Sequence, residues 1–248
     1  MFKALIDKIK GADSIPADYS ILYADMHSHL IPGIDDGSKS IEDSLELIRA
    51  FQSLGYKKLI TTPHVMSDYY QNSTEVIFVG LEIVNDAMAN AGIEMELEAA
   101  AEYYLDEGLI DKLENNQVLC FGCDKYLLFE ISFMNPPDNM RDVVFKMQVQ
   151  GYKPVLAHPE RYPFWHQKLE EYERLIELGV LMQLNINSLS GYYGKGAKKI
   201  AEKMIDNNMV HFLGSDLHNS RHVHALQKTS SEKYLKKILN HDLLNKTL

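Results

Sequence analysis

Histidines and carboxylates recur in this 248-residue chain where short apolar segments end. The stretch YADMHSHLIPGIDDGSKS, residues 23–40, contains the pair His27 and His29 and then the adjacent Asp35 and Asp36. In an extended segment, residues i and i+2 point to the same side, so both imidazoles can bind one metal ion. The pair is equally compatible with ordinary buried residues at a strand end, and partners elsewhere in the chain must decide.

Candidate partners lie at the ends of later apolar segments. In chain order they are His64, Glu102, Glu130, His158, Asp216 and His218. Any one of them alone is more typical of a solvated or hydrogen-bonded side chain. Ionisable groups that converge in one pocket, however, repel each other or change protonation unless a cation lies among them. Imidazole and carboxylate ligands suit manganese, iron or zinc, so the sequence predicts a metal site without thiolates.

Strand and helix patterns alternate along the chain. Apolar runs predict seven strands at residues 21–27, 57–64, 93–104, 126–132, 153–159, 180–188 and 210–218, although the third could also be helical. Amphipathic segments with capping residues and terminal glycines predict helices at 40–55, 73–92, 137–151, 168–179 and 194–208. Seven strands that alternate with helices favour an α/β barrel, in which the carboxyl ends of the strands carry the chemistry. An open doubly wound sheet is the alternative, but no glycine-rich dinucleotide loop follows the first strand.

Composition restricts the function classes. The net charge of −10 argues against a nucleic-acid partner, and no segment predicts stable membrane insertion. Residues 1–20 are expected to form an extension in which Phe2, Leu5, Ile6 and Ile9 share one helical face. That face could contact a membrane surface or pack on the protein or a partner. The cysteines in CFGC, 120–123, lack the second pair that a zinc site of this type needs.

The motifs together resemble the PHP superfamily, and more narrowly the bacterial manganese-dependent protein-tyrosine phosphatases of the CpsB/CapC type from capsule and exopolysaccharide operons. The matching stretches are DMHSHLIPGIDDGSKS, TTPHVM, AAEYY, LLFEIS, LAHPERY and GSDLHNSR. The resemblance implies a distorted (β/α)7 barrel formed by residues 21–248 as a single domain. It also implies a cytoplasmic protein, placed at the inner face of the membrane by its partner.

The resemblance implies a site for three divalent metal ions, most simply manganese, with iron or zinc as alternatives. The implied ligands of the first ion are His27, His29, Glu102 and Asp216. Those of the second are Glu102, Glu130 and His158, and those of the third are Asp36, His64 and His218. Asp35 is then expected to shape the loop or favour the helix start. Arg161 and Arg221 match the family's phosphate-binding arginines, although Arg161 could also form a surface ion pair.

The predicted reaction is hydrolysis of protein phosphotyrosine by a metal-bound hydroxide. The implied partner is an autophosphorylating bacterial tyrosine kinase that regulates polysaccharide synthesis. The alternatives are a small-molecule phosphomonoesterase of the histidinol-phosphate type and a non-enzymatic, metal-binding regulatory scaffold. Aromatic residues near the motifs could line a groove for the phosphotyrosine ring or could be packing residues: Tyr103, Tyr104, Tyr162, Phe164 and Trp165.

Overall fold

A computed structural model describes residues 17–248 of the chain. The predicted apolar face of Phe2, Leu5, Ile6 and Ile9 lies outside this part, and that prediction stays untested. The described part begins beside a 3-10 helix, Tyr19–Leu22, in which Tyr19 and Leu22 are buried. The Tyr19 hydroxyl donates a hydrogen bond to the Leu226 carbonyl at 2.7 Å, so this first turn is attached to the body of the protein.

The strands in the described part are short and pair in parallel. They are β1 (Ala24–Ser28), β2 (Lys58–Thr61), β3 (His64–Val65), β4 (Glu96–Ala99), β5 (Glu102–Tyr104), β6 (Tyr126–Glu130), β7 (Lys153–Ala157), β8 (Leu181–Asn185) and β9 (Phe212–Gly214). The predicted strands 57–64 and 93–104 are each divided in two. Pro63 lies in the first interruption and has no N–H for a ladder, which accounts for that break.

These strands form two sheets. One has the order β1-β2-β4, and the other has the order β3-β5-β6-β7-β8-β9. Beyond β9, Leu217 forms a parallel bridge with Ser28 of β1, and His29 N donates to Leu217 O at 2.8 Å. The predicted α/β class with parallel strands is confirmed, while the ladders form two sheets and not one continuous closed sheet.

Helices connect most of the strands. They are α1 (Ile41–Ser53), α2 (Thr74–Asn90), α3 (Glu107–Glu114), α4 (Met140–Val149), α5 (Leu169–Glu177), α6 (Lys195–Asp206), α7 (Ser220–Thr229) and α8 (Lys233–Ile238). The five helices predicted from the sequence are confirmed, and the Ser40 side chain caps α1 by accepting from Asp43 N at 3.2 Å. Three further helices, α3, α7 and α8, were not expected from the sequence.

Several of the strands are buried on both sides, as is typical of parallel strands covered by helices. Every residue of β1, β2 and β6 is buried. One large apolar cluster packs the helices on the strands, with Phe51 of α1 and Leu59 of β2 among its members. A smaller cluster includes Met26, Leu128 and Phe212, which come from three different strands. The strand ends that carry the candidate ligands are therefore anchored in a packed core.

Asn245, close to the C-terminus, joins β1 to β9. Its buried amide accepts a hydrogen bond from Leu213 N at 2.8 Å and donates to Leu213 O at 2.8 Å and to Ala24 O at 3.0 Å. No regular ladder pairs β1 with β9 in the described chain, so this one side chain satisfies backbone groups of both strands.

The Asn245→Ala variant should therefore lose stability. It leaves buried N–H and C=O groups without partners, which should lower the free energy of unfolding by about 3 kcal/mol. Urea unfolding followed by circular dichroism measures this loss. Asn240→Ala is the matched control, because the Asn240 amide makes one exposed hydrogen bond to Lys236 O. Equal stabilities of the two variants would contradict the role assigned to Asn245.

Candidate metal centre

Glu102, the first residue of β5, is the central group of the site. Its carboxylate is fully buried. Oε2 lies 3.1 Å from His64 Nδ1, 3.2 Å from His27 Nε2 and 3.6 Å from His29 Nε2, and Oε1 lies 3.0 Å from His158 Nε2. Burial alone would raise the pKa of Glu102, but His27 and His64 hold it well below its ordinary value. Four imidazoles from three separate parts of the chain thus meet at one carboxylate.

The first candidate group of ligands contains His27, His29, Glu102 and Asp216, whose nitrogen and oxygen atoms lie within 4.8 Å of one another. The other nitrogens of the two histidines are held from behind. His27 Nδ1 donates to Gln183 Oε1 at 2.9 Å, and His29 Nδ1 donates to Asp35 Oδ2 at 2.7 Å. Because these oxygens only accept hydrogen bonds, both Nε2 atoms are left free to face Glu102 and Asp216.

Two more groups of potential ligands lie beside the first. His29, Asp36, His64 and His218 form one, and His64, Glu102 and Glu130 form the other. His158 lies outside these three groups, although its Nε2 is 4.0 Å from Glu130 Oε2. The structure therefore brings together all nine predicted ligands. It places His64 with Glu102 and Glu130, where the family resemblance implied His158.

Asp35 and Asp36 occupy different environments. Asp35 is buried, and it accepts hydrogen bonds from Gly37 N at 2.9 Å and His64 N at 3.2 Å as well as from His29. Asp36 is 55% exposed at its side chain, and its Oδ1 lies 3.3 Å from His218 Nε2 and 3.5 Å from His64 Nε2. Asp36 thus faces the cluster directly, whereas Asp35 orients His29 and holds the loop. This geometry fits the division expected from the sequence.

The buried nitrogen and oxygen atoms of the cluster fit divalent cations. Glu102 Oε2 and His64 Nδ1 are both buried and only 3.1 Å apart, yet neither has a hydrogen-bond partner of acceptable geometry among residues 17–248. Burial lowers the pKa of His64, but Glu102 and Glu130 raise it to about 10. Burial also lowers the pKa of His27, but Glu102 and Asp216 raise it to about 9. The site thus favours positive charge between its imidazoles and carboxylates. Imidazole nitrogens and carboxylate oxygens facing common points are the ligands that a manganese, iron or zinc ion requires.

Two of the candidate ligands have a backbone conformation that is uncommon for residues with a Cβ atom. His158, just after β7, has φ 35°, and Asp216, just after β9, has φ 52°. Such left-handed conformations cost roughly 1–2 kcal/mol each. They persist where surrounding contacts enforce them, and they cluster at functional sites.

Arg161 lies at the edge of the cluster, and Arg221 does not. Arg161 Nη1 donates to Asp216 Oδ2 at 2.6 Å, and its guanidinium carbon lies 4.2 Å from the centre of the Tyr193 ring. It lines the same cleft as Asp36, His64 and Glu130. Arg221 is exposed near the start of α7 and lines a neighbouring pocket with Lys39 and His218.

Two side chains that the sequence did not single out support the candidate ligands from behind. Besides its contact with His27, Gln183 Oε1 accepts a hydrogen bond from His158 N at 3.2 Å, so one amide positions two candidate ligands. Asn185 Nδ2 donates to Asp216 Oδ2 at 3.3 Å and to the Tyr193 hydroxyl at 3.2 Å. Gln183 and Asn185 both lie in β8, where polar residues alternate with apolar ones. This alternation was the signal that the sequence offered.

The aromatic residues named from the sequence mostly serve as core. Tyr103, Tyr162 and Trp165 are buried in the large apolar cluster. Phe133, which the sequence did not single out, lines the cleft in their place. Tyr103, Tyr162 and Trp165 are therefore packing residues, the second of the two alternatives.

The Asp35→Asn variant should bind metal more weakly. It removes the charge that orients His29 from behind, and loss of such a supporting carboxylate should lower metal affinity by about 10–100-fold. Calorimetric titration of the metal-free protein with Mn²⁺ measures this change. Asp242→Asn is the matched control, since Asp242 is exposed in the C-terminal segment. Unchanged Mn²⁺ affinity in Asp35→Asn would refute this role of Asp35.

Comparison with known proteins yields a family match and several relatives. A family model described as capsular polysaccharide synthesis, CpsB/CapC, matches residues 23–248. The putative tyrosine-protein phosphatase CapC of Staphylococcus aureus is 31% identical over 195 residues, which cover 79% of this chain and 76% of the relative. Tyrosine-protein phosphatase YwqE of Bacillus subtilis is 30% identical over 195 residues, covering 79% and 77%.

Solved structures give the same likeness. One chain, from work on YwqE of Bacillus subtilis and CpsB of Streptococcus pneumoniae described as unique metal-dependent tyrosine phosphatases, matches with a TM-score of 0.75 and 26% identity. The match covers 89% of this chain and 96% of that chain. An amidohydrolase from Mycoplasma synoviae matches with a TM-score of 0.54 and 11% identity, which is a likeness of fold alone.

Proposed function

Because the chain belongs to the CpsB/CapC family of capsular polysaccharide synthesis, we propose that it is a metal-dependent tyrosine-protein phosphatase. The observation that carries this proposal is the convergence of the candidate ligands around the buried Glu102. Hydrolysis of a phosphate ester requires compensation of negative charge on the phosphoryl oxygens. A buried set of metal-ligating residues beside an arginine meets that requirement.

The proposed ligands are those that the family resemblance assigns to three divalent ions, with manganese as the first choice and iron or zinc as alternatives. His27, His29, Glu102 and Asp216 would hold the first ion, and the remaining sets are Glu102, Glu130 and His158 for the second and Asp36, His64 and His218 for the third. The close spacing of these groups supports the proposal. When bound, divalent ions lower the pKa of coordinated water and neutralise phosphoryl oxygens.

The protein's own groups position the ester. One guanidinium N–H of Arg161 donates to Asp216, and within the described chain the other guanidinium donors make no hydrogen bond, so they can bind phosphoryl oxygens. Asp216 and the Tyr193 ring fix the guanidinium in place, which reduces the entropy lost on binding. Burial lowers the pKa of His158, and the positive charge of the nearby Arg161 lowers it further. Arg221 is proposed as a second phosphate-binding group that acts from the neighbouring pocket.

The fold proposed for the catalytic domain, residues 21–248, is a distorted (β/α)7 barrel, with residues 1–20 as an extension. The chain passes from the first sheet to the second between β2 and β3, and again between β4 and β5. These two passages support a barrel arrangement. The bridge between Ser28 and Leu217 supports it on the opposite side. In such a barrel the carboxyl ends of all strands open onto one face, which is where the candidate ligands lie.

The proposed substrate is the phosphotyrosine of an autophosphorylating bacterial tyrosine kinase that regulates capsule or exopolysaccharide synthesis. Relatives named tyrosine-protein phosphatases and the capsular synthesis family support this choice. Among residues 17–248, no helix has the length and apolar character needed to cross a bilayer. A cytoplasmic location, with attachment to the inner face of the membrane through the kinase, completes the proposal.

Purified protein loaded with Mn²⁺ should hydrolyse a phosphotyrosine peptide in preference to a phosphoserine peptide, histidinol phosphate or single-stranded DNA. Chelation should abolish this activity, because the ligands can compensate a phosphoryl charge only with cations among them. Alkylation of Cys120 and Cys123 should leave it intact, since neither thiol lies in the cleft. Released phosphate is the measurement.

The comparison of substrates also separates the alternatives. Preference for histidinol phosphate would assign the site to a small-molecule phosphomonoesterase. Binding of Mn²⁺ without turnover of any substrate would indicate a regulatory scaffold. Loss of activity on alkylation at unchanged metal content would point to a thiol nucleophile and overturn the proposed mechanism.

The Arg161→Ala variant should lower kcat/KM for the phosphotyrosine peptide by about 100-fold or more, the usual effect of removing one donor to a developing negative charge. Arg174→Ala is the matched control, because Arg174 forms an exposed ion pair with Glu171 on α5. Steady-state kinetics at saturating Mn²⁺ measure both variants. A fully active Arg161→Ala protein would remove this arginine from the mechanism.

A further inference from the structure

The cleft that contains the candidate ligands has a lining of two kinds. It encloses about 210 Å³, and seven of its nine lining residues are ionisable. The two others are Met66 and Phe133. Ionisable groups match the phosphoryl end of a substrate. Binding of a phosphoryl group does not require an apolar thioether or phenyl ring. These two side chains therefore call for a separate explanation.

Phe133 is an exposed ring with a fixed support. It lies three residues beyond Glu130, the last residue of β6, and it is 40% exposed. Its ring centre lies 5.3 Å from that of Tyr162 and 5.9 Å from that of His158, nearly parallel to the latter at 19°. The guanidinium carbon of Arg161 lies 5.1 Å from the Phe133 ring centre. The ring is thus held beside both a candidate ligand and the proposed phosphate-binding arginine.

The support beneath Phe133 is buried and hydrogen-bonded. The Tyr162 hydroxyl accepts from Ile131 N at 3.1 Å and donates to Ala157 O at 3.2 Å. These bonds tie the ends of β6 and β7 together two residues before Phe133. A ring placed on such a support loses little freedom when a ligand packs on it, so its contact contributes more fully to affinity.

Met66 follows His64 by two residues and lies at the β3 side of the cleft. Met66 N donates to Tyr70 O at 2.9 Å, and the Tyr70 ring stacks on His64 at 5.5 Å and 15°. In the sheet, β5 separates β3 from β6, so Met66 and Phe133 approach the cleft from different strands. Thioethers and phenyl rings are favourable neighbours for an aromatic ring.

We propose that Phe133 and Met66 bind the aromatic ring of an aryl phosphate and so make the site selective for phosphotyrosine over phosphoserine. This inference rests on the proposed phosphatase function and names the residues that choose its ester. In phosphotyrosine the ring is attached directly to the ester oxygen, so a phosphoryl group among the ionisable residues puts the ring beside this apolar pair. Phosphoserine has a single methylene in that position and leaves both side chains without a partner.

Binding of two phosphonates to the Mn²⁺-loaded protein tests this inference. Benzylphosphonate and ethylphosphonate share one head group, and the first carries a ring where the ester side chain of phosphotyrosine carries one. The wild-type protein should prefer benzylphosphonate, and Phe133→Ala should reduce this preference by about tenfold through loss of an aromatic contact. Phe133→Tyr should retain the preference. Isothermal calorimetry gives both Kd values without requiring turnover.

Control variants distinguish the loss of a ring contact from a general change in the structure. Phe145→Ala removes a ring that is 65% exposed on α4 and should leave the ratio of the two Kd values unchanged. Phe133→Leu keeps an apolar side chain in place if Phe133→Ala does not fold, and it should still reduce the ratio. Met66→Ala tests the second residue independently and should shift the ratio in the same direction.

Each outcome decides one question. A Phe133→Ala or Phe133→Leu protein that folds and keeps the wild-type ratio would overturn the inference, as would a wild-type protein that binds both phosphonates equally. Turnover of phenyl phosphate, measured in parallel, tests the phosphatase function separately. A protein that prefers benzylphosphonate but hydrolyses no phosphomonoester would refute the function while keeping the ring site.

Discussion

Burial of the Glu102 carboxylate is the constraint on which the site depends. An ionised carboxylate without access to water costs several kcal/mol unless positive charge compensates it. The structure brings His27, His64 and His158 within 3.2 Å of its oxygens. Because His27 lies in β1, His64 begins β3 and His158 follows β7, these three segments must come together on one side of the fold. Parallel strands meet that demand, since their carboxyl ends open onto a common face.

The same demand explains the unusual backbone at the strand ends. His158 and Asp216 are both held at positive φ, where side chains are disfavoured. Gly214, just before this turn, has no Cβ, and one would lie 2.9 Å from the His27 Cβ and collide. Asp25 accepts hydrogen bonds from Ser215 N and Oγ at 2.8 Å and holds the strained segment from below. The hydrogen bonds from Ser215 to Asp25 of β1 thus keep the neighbouring Asp216 in place.

The sequence predicted which residues cluster at the site better than it predicted their surroundings. Histidines and carboxylates at strand ends are recognisable because strand burial and residue type are local properties, and the structure collects all of the predicted ligands at one site. The breaks within the predicted strands 57–64 and 93–104 depend on how two sheets meet, which no local pattern records. Gln183 could not be identified as the support of His27 and His158, because those contacts span 156 and 25 residues of the chain. The sequence left open whether Tyr162 lines a groove or packs in the core, and tertiary packing buries it beneath Phe133.

A ligand set of this kind recognises the phosphoryl group and very little else. Imidazoles, carboxylates and Arg161 act on charge, and the charge of a phosphomonoester is nearly the same whether its alcohol is aryl or alkyl. Discrimination between esters must therefore come from side chains that face the cleft without contributing charge. Within this cleft those are Met66 and Phe133. Phe133 belongs to the segment between β6 and α4, outside the candidate ligands, so the ester specificity can change there while the metal centre stays as it is.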